Sequence, residues 1–136
     1  MGQDRALLRR TGIVVLWLVT VWETLTMGLA GFAKFGSPEV WTRWFENWGY
    51  PAWFLVFVGA VELFGALLLL VPRLAPYAAS SLIVIMFGAL FTVLTKESGG
   101  FTAGPVLIHL VGLSVVGWFR RPAWLKEAAP EASLSA

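Results

Sequence analysis

The chain has 136 residues, 58% of them hydrophobic and 13% charged, with eight tryptophans and no cysteine. A mean hydropathy of +0.77 lies well outside the composition of soluble domains, and the missing thiols exclude disulfide staples, thiolate metal sites and dithiol exchange. The net charge of +2 is carried by small basic groups beside apolar runs, the pattern of membrane orientation signals rather than of nucleic-acid binding.

A helix rises about 1.5 Å per residue and the hydrocarbon core is about 30 Å thick, so a crossing takes about 20 apolar residues. Residues 12–33 form the first such run, charged only at Glu23. The run is longer than a signal-peptide core and contains a carboxylate, which predicts a retained span. Ser37, Pro38 and Glu39 then mark a helix start, as N-cap, first-position proline and dipole-complementing acid. Trp41, Trp44, Phe45 and Trp48 recur at helical spacing. This predicts a short amphipathic helix over 38–48 in the headgroup region, its aromatic face toward lipid and its tryptophans acting as interfacial anchors. An aromatic lid over a ligand is the alternative.

The second apolar run, 52–71, holds Glu62 between Gly59 and Gly65, where small residues let a neighbouring helix or a flat molecule approach closely. Val71, Pro72 and Arg73 make a tight turn into the third run, 74–95, whose sole ionisable group is Tyr77. Breakers at 96–100 precede the fourth run, 101–119, which contains His109. The predicted fold is therefore an all-α integral membrane protein with four transmembrane helices in an up-and-down antiparallel bundle. Residues 1–121 form its single domain, and 122–136 form a flexible cytoplasmic tail after Pro122, with Trp124 at the interface. Arg5, Arg9, Arg10, Arg73, Arg120, Arg121 and Lys126 fall on one side and Lys34, Arg43 and Lys96 on the other, which predicts cytoplasmic termini.

Chemistry is to be sought at the polar exceptions. Counting from the outer ends of their helices puts Glu23 about 16 Å deep, Glu62 about 15 Å and His109 about 8 Å. Two carboxyls at one level, flooring a polar pocket that opens outward, are the expected arrangement. Lys34 lies within about 20° of Glu23 around the helix, with Met27 and Gly31 on the same stripe. It is too far along the axis to reach Glu23 and is expected to snorkel to the interface or pair with a loop carboxylate. A charge at the bilayer centre costs about 2.5 to 3.5 kcal/mol on insertion scales, so neither carboxyl is expected to face lipid. Hydrogen-bonding glue between helices and ligand or proton handling both remain open for the pair. A diiron site needs two Glu-x-x-His motifs and bis-histidine haem needs two histidines, whereas this chain has one. No metal site is expected. Gly99, Gly100 and Gly104 follow no strand, which removes phosphate cradling.

Several stretches resemble the DoxX family of small four-helix bacterial membrane proteins. They are Gly31-Phe32-Ala33-Lys34-Phe35, Trp48-Gly49-Tyr50-Pro51, the glycine-bracketed Glu62 run over 59–70, and 75–89. The resemblance covers about residues 12–95; the fourth helix matches in character alone. It implies a bacterial inner membrane location and an association with membrane redox systems, and it places Lys34 and Glu62 at recurring family positions. The functional expectation is a redox-associated subunit, not an autonomous enzyme. It would receive a quinone or similar lipid-soluble molecule near Glu23, Glu62, His109 and Lys34, with Gly31, Gly59 and Gly65 as close-approach positions. No cofactor is encoded, so electrons would come through another membrane protein or a second copy. The alternative is a non-catalytic accessory or assembly subunit that docks through its aromatic loop; a small-solute or proton transporter fits less well, since no discontinuous helix pair is visible.

Overall fold

The computed structural model describes residues 1–96 and 102–122, and among them every regular element is helical. α1 spans Gly2–Gly36, α2 Pro38–Asn47, α3 Ala52–Leu69, α4 Ala75–Thr95 and α5 Ala103–Phe119. The expected breakers at 97–100 and the tail from 123 onward, with Trp124 and Lys126, lie outside the described residues.

α1 starts ten residues before the apolar run, because nothing in its first three turns breaks a helix and Ala, Leu and Arg favour one. It ends where Pro38 forces the preceding Ser37 out of the helical region, to φ −135° and ψ 61°. Pro38 then opens α2 at its first position, although the Ser37 hydroxyl makes no capping hydrogen bond. At the other end of α2, Gly49 adopts φ 81°. Its N–H donates to Glu46 O (2.9 Å) and the Tyr50 N–H to Phe45 O (2.8 Å), a Schellman stop that needs a residue tolerant of the left-handed region. Pro51 leads into α3.

α1, α3 and α4 are long and apolar enough to cross a membrane, and α5 is apolar but shorter, at 17 residues. Leu29, Phe64, Val84 and Val111 show how the apolar side chains of all four point outward, as a hydrocarbon solvent allows. α1 packs on α3, α3 on α4, α4 on α5 and α5 back on α1, so chain neighbours close a ring. Met27, Leu69, Leu82, Met86, Leu113 and Val116 fill its centre beside the small Ala66, Ala75, Ala78 and Ala79. The tightest crossing is at Gly31, where a Cβ would lie 2.8 Å from Leu63 N and 2.9 Å from Gly59 O. Gly59 in turn faces the Lys34 stem and the Phe35 ring, and Gly65 receives Leu82.

α2 corrects one expectation. Its aromatic face packs onto α3 rather than pointing outward: Phe45, half-buried Trp41 and half-buried Trp48 pack with Leu55 and Val58. The joint to α1 is one residue long and the joint to α3 four, so α2 is held against its neighbour and buries its aromatic stripe there. Trp44 sits at the edge of this cluster, 5.8 Å from Trp48 between ring centres.

Candidate functional site

Two polar pairs lie between the helices, both anchored on α1: Lys34, Glu62 and Glu23 are buried and His109 is partly exposed. The buried stripe of α1 is Thr20, Glu23, Met27, Gly31 and Lys34. Near one end of the stripe the Lys34 Nζ donates to Glu62 Oε2 of α3 at 2.6 Å, with the Trp41 ring centre 4.5 Å away and Ala30 O at 3.4 Å. Lys34 is 7% exposed and Glu62 4%. Lys34 is therefore not the expected interface anchor. The N-terminal two turns of α3 continue past it, and with α2 they cover it.

At the other end of the stripe Glu23, 0% exposed, pairs through Oε2 with His109 Nδ1 of α5 at 2.8 Å. The imidazole stacks on Trp22, 5.0 Å between ring centres and 19° between planes. Glu23 Oε1 lies against Gly112, where a Cβ would overlap it, and it has no hydrogen-bond partner among the described residues. The two pairs, Lys34 with Glu62 and Glu23 with His109, join three helices.

The expected shared floor of two carboxyls is not present. Gly31, eight residues beyond Glu23, is what stands opposite Glu62, which separates the two acids by about 12 Å along α1. Helical side chains lean toward their own N-terminus, so in antiparallel α1 and α3 the carboxyls diverge further. The depth count failed because it took Lys34 as level with the start of α3, whereas the Lys34 stem faces Gly59, seven residues inside that helix.

Beside the Lys34 and Glu62 pair lies a cavity of about 430 Å³. Trp41, Phe45, Trp48, Tyr50, Phe54 and Phe57 wall one side and α4, from Val84 to Val93, the other. Glu23 does not line it; nor does His109, which the sequence placed in the same pocket. At the α2 end the Thr92 hydroxyl donates to Gly88 O, leaving the Tyr50 hydroxyl to donate to Thr92 Oγ1 at 2.7 Å. Lys96 Nζ donates to Trp48 O at 2.6 Å and lies 4.3 Å from the Tyr50 ring centre. Tyr50, Thr92 and Phe54 stand at the cavity without a sequence signal that singles them out as site residues. Gly112, against Glu23 and one turn from the sole histidine, carries a signal that helical spacing alone can reveal.

Apolar helices of spanning length, with polar groups paired between them and a cavity beside one pair, define a multi-pass membrane protein. The chain belongs to the DoxX-like family, which it matches over residues 18–116. That stretch contains both polar pairs and the whole cavity lining. No curated protein and no solved structure matches the chain.

Proposed function

We propose that this protein is a redox-associated subunit of a bacterial inner membrane that holds a quinone or similar lipid-soluble molecule in the cavity between α2, α3 and α4. The observation that carries this reading is the join of six aromatic walls to one buried donor and acceptor, Lys34 and Glu62, in a space of about 430 Å³. Aromatic faces suit a flat ring, and a few placed polar groups orient it. α1, α3, α4 and α5 all cross the membrane in this reading. α5 manages with 17 residues, about 25 Å of helix, by modest thinning of the bilayer around it. The termini lie in the cytoplasm and α2 on the far side.

Lys34 Nζ is the donor to a quinone oxygen, and Glu62 the acceptor for a hydroxyl of the reduced form. A bound quinone supplies two-electron, two-proton chemistry, with electrons exchanged through another membrane protein or a second copy. The Glu23 and His109 pair handles protons at the α1–α5 contact. Docking of a partner through the α2 aromatic face, the accessory-subunit alternative, draws less support because Trp41, Phe45 and Trp48 line the cavity.

Organic extraction of protein purified in mild detergent is expected to yield a quinone. Added decylubiquinone at a hundred times its Kd is expected to stabilise the fold by about 2.7 kcal/mol. Lys34→Met should lose both effects. An extract without quinone, together with an unmoved unfolding temperature, removes this reading.

A further inference from the structure

α3 and α4 touch where Leu82 fills the notch at Gly65. Toward the α2 end they part, and the cavity occupies the gap. Three of its lining residues are also surface residues: Phe57 is 50% exposed, Val84 69%, and Gly88 is exposed. A Cβ built at Gly88 meets nothing within 4 Å. None of the three carries a polar side chain, and both helices are long and apolar enough to cross a membrane. The α2 end, by contrast, is strapped: Lys96 holds the Trp48 carbonyl and covers the Tyr50 ring, and Tyr50 is tied to Thr92.

We infer that the cavity opens sideways between α3 and α4 into the hydrocarbon layer, and that its ligand is a single-tailed amphiphile. The flat head rests on the Lys34 and Glu62 pair and the apolar tail leaves past Phe57, Val84 and Gly88. This rests on the reading of the cavity as a ligand site and adds the route and the shape of the molecule. This route differs from the outward-opening pocket expected from the sequence. Its physical basis is the solvent at each mouth. A tail leaving through the strapped end would have to break the Lys96 and Tyr50 contacts and enter a polar layer, whereas the gap beside Gly88 leads from one apolar medium to another. The head site pairs one positive with one negative group, which suits a neutral head that exchanges hydrogen bonds.

Tryptophan quenching in detergent, read with decylubiquinone and with tail-less duroquinone, tests this on the full chain. Gly88→Trp and, separately, Val84→Trp place an indole across the opening from exposed positions. Unfolding temperature checks that each variant folds, and either variant alone suffices. The expected result is that the affinity ratio of tailed to tail-less quinone falls by at least about tenfold, equivalent to about 1.4 kcal/mol. If both quinones bind the unsubstituted protein and neither variant moves that ratio, side entry is wrong while the ligand reading survives. If neither quinone binds the unsubstituted protein, the ligand reading itself fails and side entry falls with it.

Discussion

Removing one partner of the Lys34 and Glu62 pair separates what the pair does for the fold from what it does for a ligand. Lys34→Met keeps the stem that packs on Gly59 but removes the ammonium 2.6 Å from Glu62 Oε2 and 4.5 Å from the Trp41 ring centre. Breaking a buried ion pair from one side costs about 3–5 kcal/mol, because the other charge is left buried without a counter-charge. Loss of the cation–π contact adds about 0.5–2 kcal/mol. Glu62→Leu strands the ammonium in the same way. The double variant Lys34→Met with Glu62→Leu removes both charges, and replacements of this kind are neutral or stabilising by about 1–4 kcal/mol. Unfolding followed by tryptophan fluorescence, as sodium dodecyl sulfate is titrated into mixed micelles, measures the four corners of the cycle. With two single losses of at least about 3 kcal/mol each and a neutral double variant, a coupling of about 6 kcal/mol or more is expected, above the about 0.5–3 kcal/mol usual for contacting residues. Quinone binding should stay lost in the double variant even as stability returns. A single-variant loss below about 1 kcal/mol, or a double variant as unstable as the two losses added, refutes the pairing argument.

Gly112→Ala drives a methyl into Glu23 Oε1 in a place where the carboxyl is fully buried. A loss of about 1–3 kcal/mol is expected from overpacking, against a change within about 0.5 kcal/mol for Gly104→Ala, which meets open space. Equal effects in the same unfolding assay would show that Glu23 is free to move. Gly31→Ala meets backbone at 2.8 and 2.9 Å rather than a yielding side chain, so α1 and α3 must separate. Its cost should reach the upper part of the about 1–3 kcal/mol range, and a spin-label distance between the two helices should lengthen. His109→Leu leaves a fully buried acceptor unpaired and is expected to cost about 1–3 kcal/mol or more, with Glu23→Leu added to it restoring most of the loss. A double variant no better than His109→Leu would count against the Glu23 contact.

The spanning segments were legible because a run of apolar residues at 1.5 Å rise has one stable use at this length. The α1 stripe was legible for a related reason: Met27, Gly31 and Lys34 follow Glu23 at helical spacing, and the structure buries that whole face. What lay beyond local periodicity was which residue on α1 meets which on α3. That register is set by Gly31 admitting the α3 backbone, by the one-residue joint at Ser37 and by the α2 cluster around Phe45. None of these leaves a trace in a count of residues from a helix end. The direction of the α2 aromatic face was hidden likewise, since a stripe of Trp and Phe reads the same whether it meets lipid or α3.

The register that sequence depth implied would also have been a poor structure. Bringing Glu23 level with Glu62 sets two carboxyls against each other in an apolar interior, and it leaves Lys34 and His109 to find partners elsewhere. Two like charges in such a site oppose each other, and each still carries its own desolvation penalty. Sliding the helices by about two turns removes both problems at once: the acid on α3 meets the ammonium on α1 at 2.6 Å, and the acid on α1 meets the imidazole on α5 at 2.8 Å. One stripe of one helix, negative toward one end and basic toward the other, thus selects a basic neighbour on α5 and an acidic neighbour on α3. The same register puts the Lys34 and Glu62 pair beside the cavity between α3 and α4, and the Glu23 and His109 pair at the α1–α5 contact, outside the cavity lining. One helix register thus satisfies four ionisable groups, three of them buried, and leaves a single pair beside the cavity.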